Sequence, residues 1–284
     1  MSPADPNDRT WLITGCSTGI GREIARAVLA RGERAAVTAR NADAVADLVA
    51  AHPERALALA LDVTDRAQID AAVAATEQAF GAIDVLVNNA GYGYMAALEE
   101  GEDAEVRKLF DTNYFGVVDL VKAVLPGMRA RKRGHVINMS SMTGLVTNPP
   151  NIYYSSTKYA LEALTEGLAK EVAPFGISVT AIEPGAFRTD WATRSMKESA
   201  RPMDEYAETV GARKKLIKLA GDKLPGDPKR IADAVLMIAD LDAPPLHLLL
   251  GRDVLAAFRQ KLADWQASIE TWEAVTKDVN FRDG

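Results

Sequence analysis

The chain has 284 residues, 48% of them hydrophobic and 25% charged, with a formal net charge of −6. That length and apolar content suit one large core, no proline- or glycine-rich linker divides the chain, and the acidic balance excludes a basic nucleic-acid stripe. The single cysteine, Cys16, excludes an internal disulfide and leaves a cysteine-based metal site unsupported, and no apolar run reaches the length of a membrane span.

Short apolar runs alternate with longer helical patterns from Trp11 to about Glu183. This is the pattern of an α/β fold, a doubly wound, Rossmann-like parallel sheet with helices on both faces. Strands are expected at residues 11–14, 35–39, 56–61, 85–88, 135–139 and 178–182, with a seventh at 246–250. Helices are expected at 20–30, 67–80, 105–131 and 152–172. The basic cluster Arg129, Arg131, Lys132 and Arg133 falls where the third of these helices ends and complements its dipole. His52, His135 and His247 lie far apart; His135 and His247 fit structural roles, and no metal site and no Ser-His-Asp triad is expected.

Organisation follows as a single catalytic domain: a cofactor and catalytic core over 9–190, a substrate lid over 187–224, a last helix and strand over 225–251, and a helical tail over 252–284. In the tail, Phe258, Leu262, Trp265, Ile269 and Trp272 recur at helical spacing, and packing is their expected task. Residues 1–9 carry no signal-peptide core, so a cytoplasmic protein is expected.

The chemistry is concentrated in a few stretches. Thr14-Gly15-Cys16-Ser17-Thr18-Gly19-Ile20-Gly21 follows the first strand and enters the first helix, where a dinucleotide pyrophosphate meets helix N-terminal amides. The second strand ends in Ala39-Arg40, where a carboxylate for the ribose hydroxyls of NAD would stand. An arginine without a carboxylate suits a 2′-phosphate, so NADP(H) is expected to be preferred over NAD(H); the alternative is a plain surface arginine. Tyr154 and Lys158 lie one turn apart on one helix face. A tyrosine acting as a base near neutrality needs a pKa about two to three pH units below its usual value of about 10, and a nearby cation supplies about one to three. Taken alone, the pair also fits an ordinary solvated helix.

Together, the Thr14–Gly21 loop, Asp62-Val63, Asn88-Asn89-Ala90-Gly91, Asn113 in Thr-Asn-Tyr-Phe-Gly, Ser141, Tyr154-x-x-x-Lys158 and Pro184-Gly185 resemble the short-chain dehydrogenase/reductase family, in family order over residues 10–190. The Gly-Cys-Ser-Thr-Gly-Ile-Gly form of the loop is similar to the branch containing 17β-hydroxysteroid and retinol dehydrogenases. The resemblance implies a tetrad of Asn113, Ser141, Tyr154 and Lys158. Tyr154 would exchange the hydroxyl proton, Ser141 would hydrogen-bond the substrate oxygen, Lys158 would lower the tyrosine pKa and hold the nicotinamide ribose, and Asn113 would hold a water. It also implies cofactor contacts from Gly15, Ser17, Thr18, Gly19, Ile20 and Gly21, from Asp62 and Val63 at the adenine, from Asn89, Ala90 and Gly91 at the adenosine ribose, and from Pro184, Gly185 and Thr189 at the nicotinamide. Asp62 could instead be a helix cap, the Asn88–Gly91 stretch a tight turn, and Asn113 a buried amide serving backbone.

Tyr92, Tyr94, Met95, Met142, Leu145, Val146, Pro149, Phe187 and Trp191 would border the carbonyl site, which favours a bulky hydrophobic alcohol or ketone over a polyol. The reading is an NADP(H)-dependent oxidoreductase acting on CH-OH donors. The competing readings are an NAD-dependent alcohol dehydrogenase of the same family and a non-catalytic NADPH-binding regulator. The apolar faces of helices 105–131 and 152–172 fit the family's pairing across two-fold axes, so a homodimer or homotetramer is expected.

Overall fold

Trp11, Leu12 and Ile13 are all fully buried, and alternation along the strand sends them to opposite sides. Trp11 and Ile13 join one core with Ile24 and Val28 of α1 (Gly19–Ala30) and with Ile231 and Val235 of a late helix. Leu12 joins the other core with Ile69, Val117, Leu120 and Leu161. An uninterrupted apolar run is thus a strand covered on both faces, the condition for a parallel sheet.

The computed structural model describes residues 9–189, 194–220 and 223–281. Among them, β1 (Thr10–Ile13), β2 (Arg34–Ala39), β3 (Ala56–Ala60), β4 (Val85–Asn88), β6 (Gly134–Met139), β7 (Ile177–Pro184) and β9 (His247–Leu250) form one seven-stranded sheet in the order β3-β2-β1-β4-β6-β7-β9. Every neighbouring pair is parallel. The expected strands are all present, with boundaries that agree to within two residues. The strand order reverses between β1 and β4, which opens a crevice at their carboxyl ends.

The two turns leaving that crevice are stitched together by one side chain on each. The Thr14 hydroxyl accepts from the backbone N–H groups of Asn89 (2.9 Å) and Ala90 (3.0 Å). In return the Asn89 amide donates to Thr14 O (2.8 Å) and Gly15 O (3.1 Å). The backbone must turn sharply above this stitch, and Gly15 does so at φ +72°, a conformation costly for residues with a Cβ.

Two features depart from the sequence expectation. The helix expected over 105–131 is α4 (Asp103–Phe110) and α5 (Gly116–Arg131) joined by a π-helical turn, Asp111–Phe115. The wider turn carries Asn113, whose side chain bonds the backbone of Tyr92 in both directions, so helix regularity yields to a distant hydrogen-bond demand. The lid contains its own order: β5 (Gly93–Met95) pairs in parallel with β8 (Met196–Glu198), fastening the lid to the body, and α7 (Ala212–Ala220) follows.

After the short α2 (Ala46–Ala51), helices α3 (Arg66–Phe80) and α6 (Ile152–Val172) match expectation. Asp65 caps α3 by accepting from Ala67 and Gln68, so the cap is Asp65 rather than Asp62. Helix α8 (Pro228–Ala239) starts with Asp227 as cap and proline in its first turn. The tail is a helix, α9 (Arg252–Lys277), but it does not pack as expected. Val254 is its one buried residue, and Leu262, Trp265, Ile269 and Trp272 all face water. No helix among the described residues is long and apolar enough to cross a membrane.

Thr14→Val keeps the shape of the stitch and removes its hydroxyl acceptor, orphaning the Ala90 N–H while the Asn89 N–H keeps Val87 O at 3.1 Å. A loss of about 1–3 kcal/mol is expected, about 2–4 °C of melting temperature per kcal/mol in a chain this size, measurable by scanning calorimetry.

Candidate active site

Helix α1 opens onto the crevice with an unusual start. Its N-cap, Thr18, makes no side-chain cap hydrogen bond, so first-turn N–H groups have no side-chain acceptor there. Such amides, with the positive end of the helix dipole, form an anion site. The crevice widens into a cleft of about 660 Å³. Its walls include Gly15, Ser17, Thr18, Gly19 and Ile20 from the loop, Arg40 after β2, Asp62 and Val63 after β3, and Asn89, Ala90 and Gly91 after β4. Ser141, Tyr154, Pro184, Gly185 and Thr189 complete the expected set on the walls. Gly21, Asn113 and Lys158 lie behind the surface. Gly21 sits against the Asn89 amide, which is occupied by the loop backbone.

The residues therefore fit a dinucleotide: uncapped helix amides for phosphates, and a cation at the β2 end. Arg40 faces Asp62. Burial opposes ionisation of Asp62, yet hydrogen bonds from Thr64 and the Arg40 charge hold its pKa below the ordinary value.

At the other end, neighbouring residues of the same type are sorted by their partners. Ser140 turns inward and donates to Glu162, whereas Ser141 is joined by a side-chain hydrogen bond to Tyr154. The Ser141 hydroxyl also accepts from Thr143 N–H (3.1 Å), fixing it as the cap of a short 3-10 turn. Tyr153 points away and donates to Leu98 O, while Tyr154 is buried at the cleft floor. Burial raises the Tyr154 pKa above that of a free phenol, against the lowering effect of Ser141, so the phenol is neutral. The expectation that Lys158 lowers it does not describe this state. Burial lowers Lys158 itself to about 8, partly opposed by Glu162, and its ammonium donates to Met139 O at 2.7 Å, 5.7 Å from the Tyr154 ring centre. Asn113 serves the Tyr92 backbone, and its Nδ2 also lies 3.2 Å from Thr157 Oγ1.

Of the expected substrate border, Tyr92, Met142, Pro149 and Phe187 line the cleft. Tyr94 and Met95 are core residues of β5, Leu145 and Val146 lie off the cleft, and Trp191 is outside the described residues. The lid supplies apolar wall instead through Met196, Leu216, Ile217 and Leu224, with Arg194 and Arg213 among them.

Sequence reading missed two groups. Glu162 of α6, Glu183 of β7 and His247 of β9 place carboxylate and imidazole atoms within 4.8 Å of one another. His247 Nδ1 lies 2.8 Å from Glu183 Oε1 and 3.4 Å from Glu162 Oε2. A glutamate one turn beyond Lys158 on a buried helix face, and another inside an apolar strand, were the available signals. The second group is Asp253 at the base of α9, which accepts from Ala186 N–H at 2.7 Å. It lies so close to Gly185 that a Cβ there would come within 2.1 Å of its Oδ1.

A family model described as short chain dehydrogenase matches residues 9–200. The oxidoreductase BOA17 of Botryotinia fuckeliana is 38% identical over 269 residues, covering 94% of this chain and 98% of that protein. A solved short-chain dehydrogenase from Streptomyces avermitilis is 43% identical, with a TM-score of 0.90 over 96% of this chain and 100% of that one. The structure of ElxO with NADP bound is 28% identical, with a TM-score of 0.73 over 88% and 99%.

Burial raises the pKa of both Glu162 and Glu183, the latter to about 8, and the charge of Glu183 raises Glu162 further. The folded protein then holds protons that the unfolded chain has released, so these groups stabilise it at acidic pH and lose that contribution as pH rises toward 8. Glu183→Gln is expected to flatten the slope and raise the melting temperature at about pH 8 by about 2–4 °C, with little change at about pH 5, read by calorimetry at both values.

Proposed function

The chain belongs to the short-chain dehydrogenase family and is an NAD(P)-dependent oxidoreductase, and on that premise we propose that it interconverts a hydroxyl and a carbonyl on a bulky hydrophobic substrate with NADP(H), with Tyr154 as the general acid/base. The observation that carries this reading is the neutral Tyr154 phenol, hydrogen-bonded to Ser141 at the floor of a cleft that opens at the sheet's switch point.

The bound nicotinamide supplies or accepts the hydride. The protein's own residues manage the oxygen and its proton. Ser141, fixed by Thr143, donates to the substrate oxygen as negative charge builds there, an interaction stronger at the transition state than before it. Tyr154 delivers its proton to that oxygen in reduction, and its neutral resting form is the one this step requires. In the oxidative direction the phenolate accepts the proton, with Lys158 as the adjacent cation. Asn113 holds the Tyr92 backbone, next to Gly91, which lies near the Lys158 ammonium.

Three observations support the finer assignments. Arg40 is exposed on the cleft wall, and the side chain before it is alanine, so nothing at the end of β2 repels a 2′-phosphate. The apolar lid wall of Met196, Leu216, Ile217 and Leu224 faces Phe187 and Pro149, which suits a hydrophobic substrate. Phe115, Ile152 and Tyr159 present apolar surface near the start of α5 and on α6, consistent with a homodimer or homotetramer paired there.

Fluorescence titration with NADPH and NADH tests the cofactor assignment. Arg40→Ala is expected to weaken NADPH by about 10- to 100-fold, the loss of a charge-assisted hydrogen bond, and to leave NADH unchanged. Tighter NADH binding by the wild type overturns it. Reduction of a panel of hydrophobic ketones tests the chemistry: Tyr154→Phe should lower turnover by about 10²–10⁴-fold while NADPH still binds.

A further inference from the structure

Helix α9 leaves the body of the protein almost as soon as it starts. Its base is fastened by Val254, which is fully buried, and by Lys261, whose ammonium donates to Tyr159 Oη at 2.6 Å and to Leu145 O. From Leu262 to Lys277 every residue is exposed, on every side of the helix. A rod of 26 residues is about 39 Å long, and a lone helix in water gains little from hydrogen bonding alone.

The large apolar residues of α9, exposed apart from the half-buried Phe258 and the buried Val254, are not scattered. Leu255, Leu262 and Ile269 recur every seven residues, and so do Phe258, Trp265 and Trp272, offset by three. This is the a/d repeat of a coiled-coil seam, with a spacing of 3.5 rather than the broad face of a helix packed on a globular core. Leu262 is 53% exposed, Trp265 63%, Ile269 58% and Trp272 58%, so the centre of the seam stands in water, with the Lys261 ammonium of the same helix 5.6 Å from the Trp265 ring centre. The helix carries four basic residues (Arg252, Arg259, Lys261, Lys277) and four acidic ones (Asp253, Asp264, Glu270, Glu273), a balance unlike the basic face of a helix lying on a membrane.

We propose that α9 is an assembly arm that pairs with α9 of a second copy of this chain as an antiparallel two-helix coiled coil. Charge and size both select that orientation. When the a and d positions are matched antiparallel, Leu262 meets Trp272 of the second copy and Trp265 meets its Ile269, so each indole packs against an aliphatic side chain. The flanking e positions then bring Arg259 beside Glu273 of the second copy, twice by symmetry, with Gln266 and Ser268 near the two-fold axis. Glu273 is bonded to Lys277 of its own helix at 2.6 Å, an exposed pair that leaves it free to share with Arg259. A parallel pair would set Lys261 beside Gln266 and Ser268 beside Glu273, matching no opposite charges, and would put tryptophan against tryptophan.

Sedimentation of the full chain tests the proposal. Trp265→Glu combined with Ile269→Glu should halve the assembly mass, and NADPH binding should be unaffected. That last readout separates this proposal from the assigned chemistry. Arg259→Glu should weaken assembly by about tenfold, of the order expected for two exposed pairs turned repulsive, and Arg259→Glu with Glu273→Arg should restore it. A short bismaleimide should cross-link Ser268→Cys and not Leu262→Cys, and the one native thiol, Cys16, is buried and does not interfere. An unchanged mass in the double glutamate variant, a monomeric wild type, cross-linking of Leu262→Cys instead of Ser268→Cys, or loss of vesicle binding as the only effect of the glutamates each overturns it.

Discussion

The Thr14–Asn89 stitch is the constraint from which the rest of the cofactor cleft follows. A sheet whose order reverses between β1 and β4 leaves two loops side by side with no strand between them, and their backbone groups need partners. Thr14 and Asn89 satisfy four of those groups across the gap. Because the Asn89 amide is occupied beneath the loop, it supports the cofactor loop from below. The same contact explains the glycine at position 21, which lies against that amide, and the left-handed turn at Gly15. One polar pair thus sets the height of the loop and the direction in which α1 presents its uncapped amides.

Helix α6 performs two tasks on one buried face. Its first turns carry Tyr154 and Lys158, and its next turn carries Glu162, so the cation faces a phenol on one side and a carboxylate on the other. Burial disfavours charge on each, which is why the tyrosine stays neutral and why Glu162 and Glu183 hold on to protons. Ser140 and Ser141 divide these regions between them, one serving Glu162 and the other Tyr154. The acidic cluster therefore adjoins Tyr154 and Lys158 without lining the cleft.

Strands were legible because burial on both faces writes itself as an unbroken apolar run, as at Trp11-Leu12-Ile13. The cofactor loop and the Tyr154–Lys158 pair were legible because their spacing is local. What spacing could not show depends on contacts distant in sequence. The π turn at Asp111–Phe115 answers a demand from Tyr92, about twenty residues earlier. The Glu162–Glu183–His247 cluster joins three elements. Tyr94 and Met95 read as substrate wall because they are apolar near the site, but both are buried in β5 beside its pairing with β8. The tail shows the limit most plainly: helical spacing revealed which face is apolar, and it could not reveal that this face points away from its own body.

That outward direction bears on the cleft through Asp253. The edge strand β9 has four half-buried residues and is held by its parallel pairing with β7 and by Leu248 and Leu250 against the core. The chain turns at Gly251 and enters α9, and Asp253 in the first turn takes the Ala186 N–H, two residues past Pro184 on the cleft wall. The Gly185 N–H is held at the same time by Leu250 O at 2.9 Å. This stretch of the cleft wall is therefore tied to the base of α9 and not only to the sheet. That anchor lies in the first turn of α9, whereas the exposed seam starts at Leu262 beyond the Lys261 tether, so the loop keeps its hydrogen bonds whatever the outer part of the helix meets.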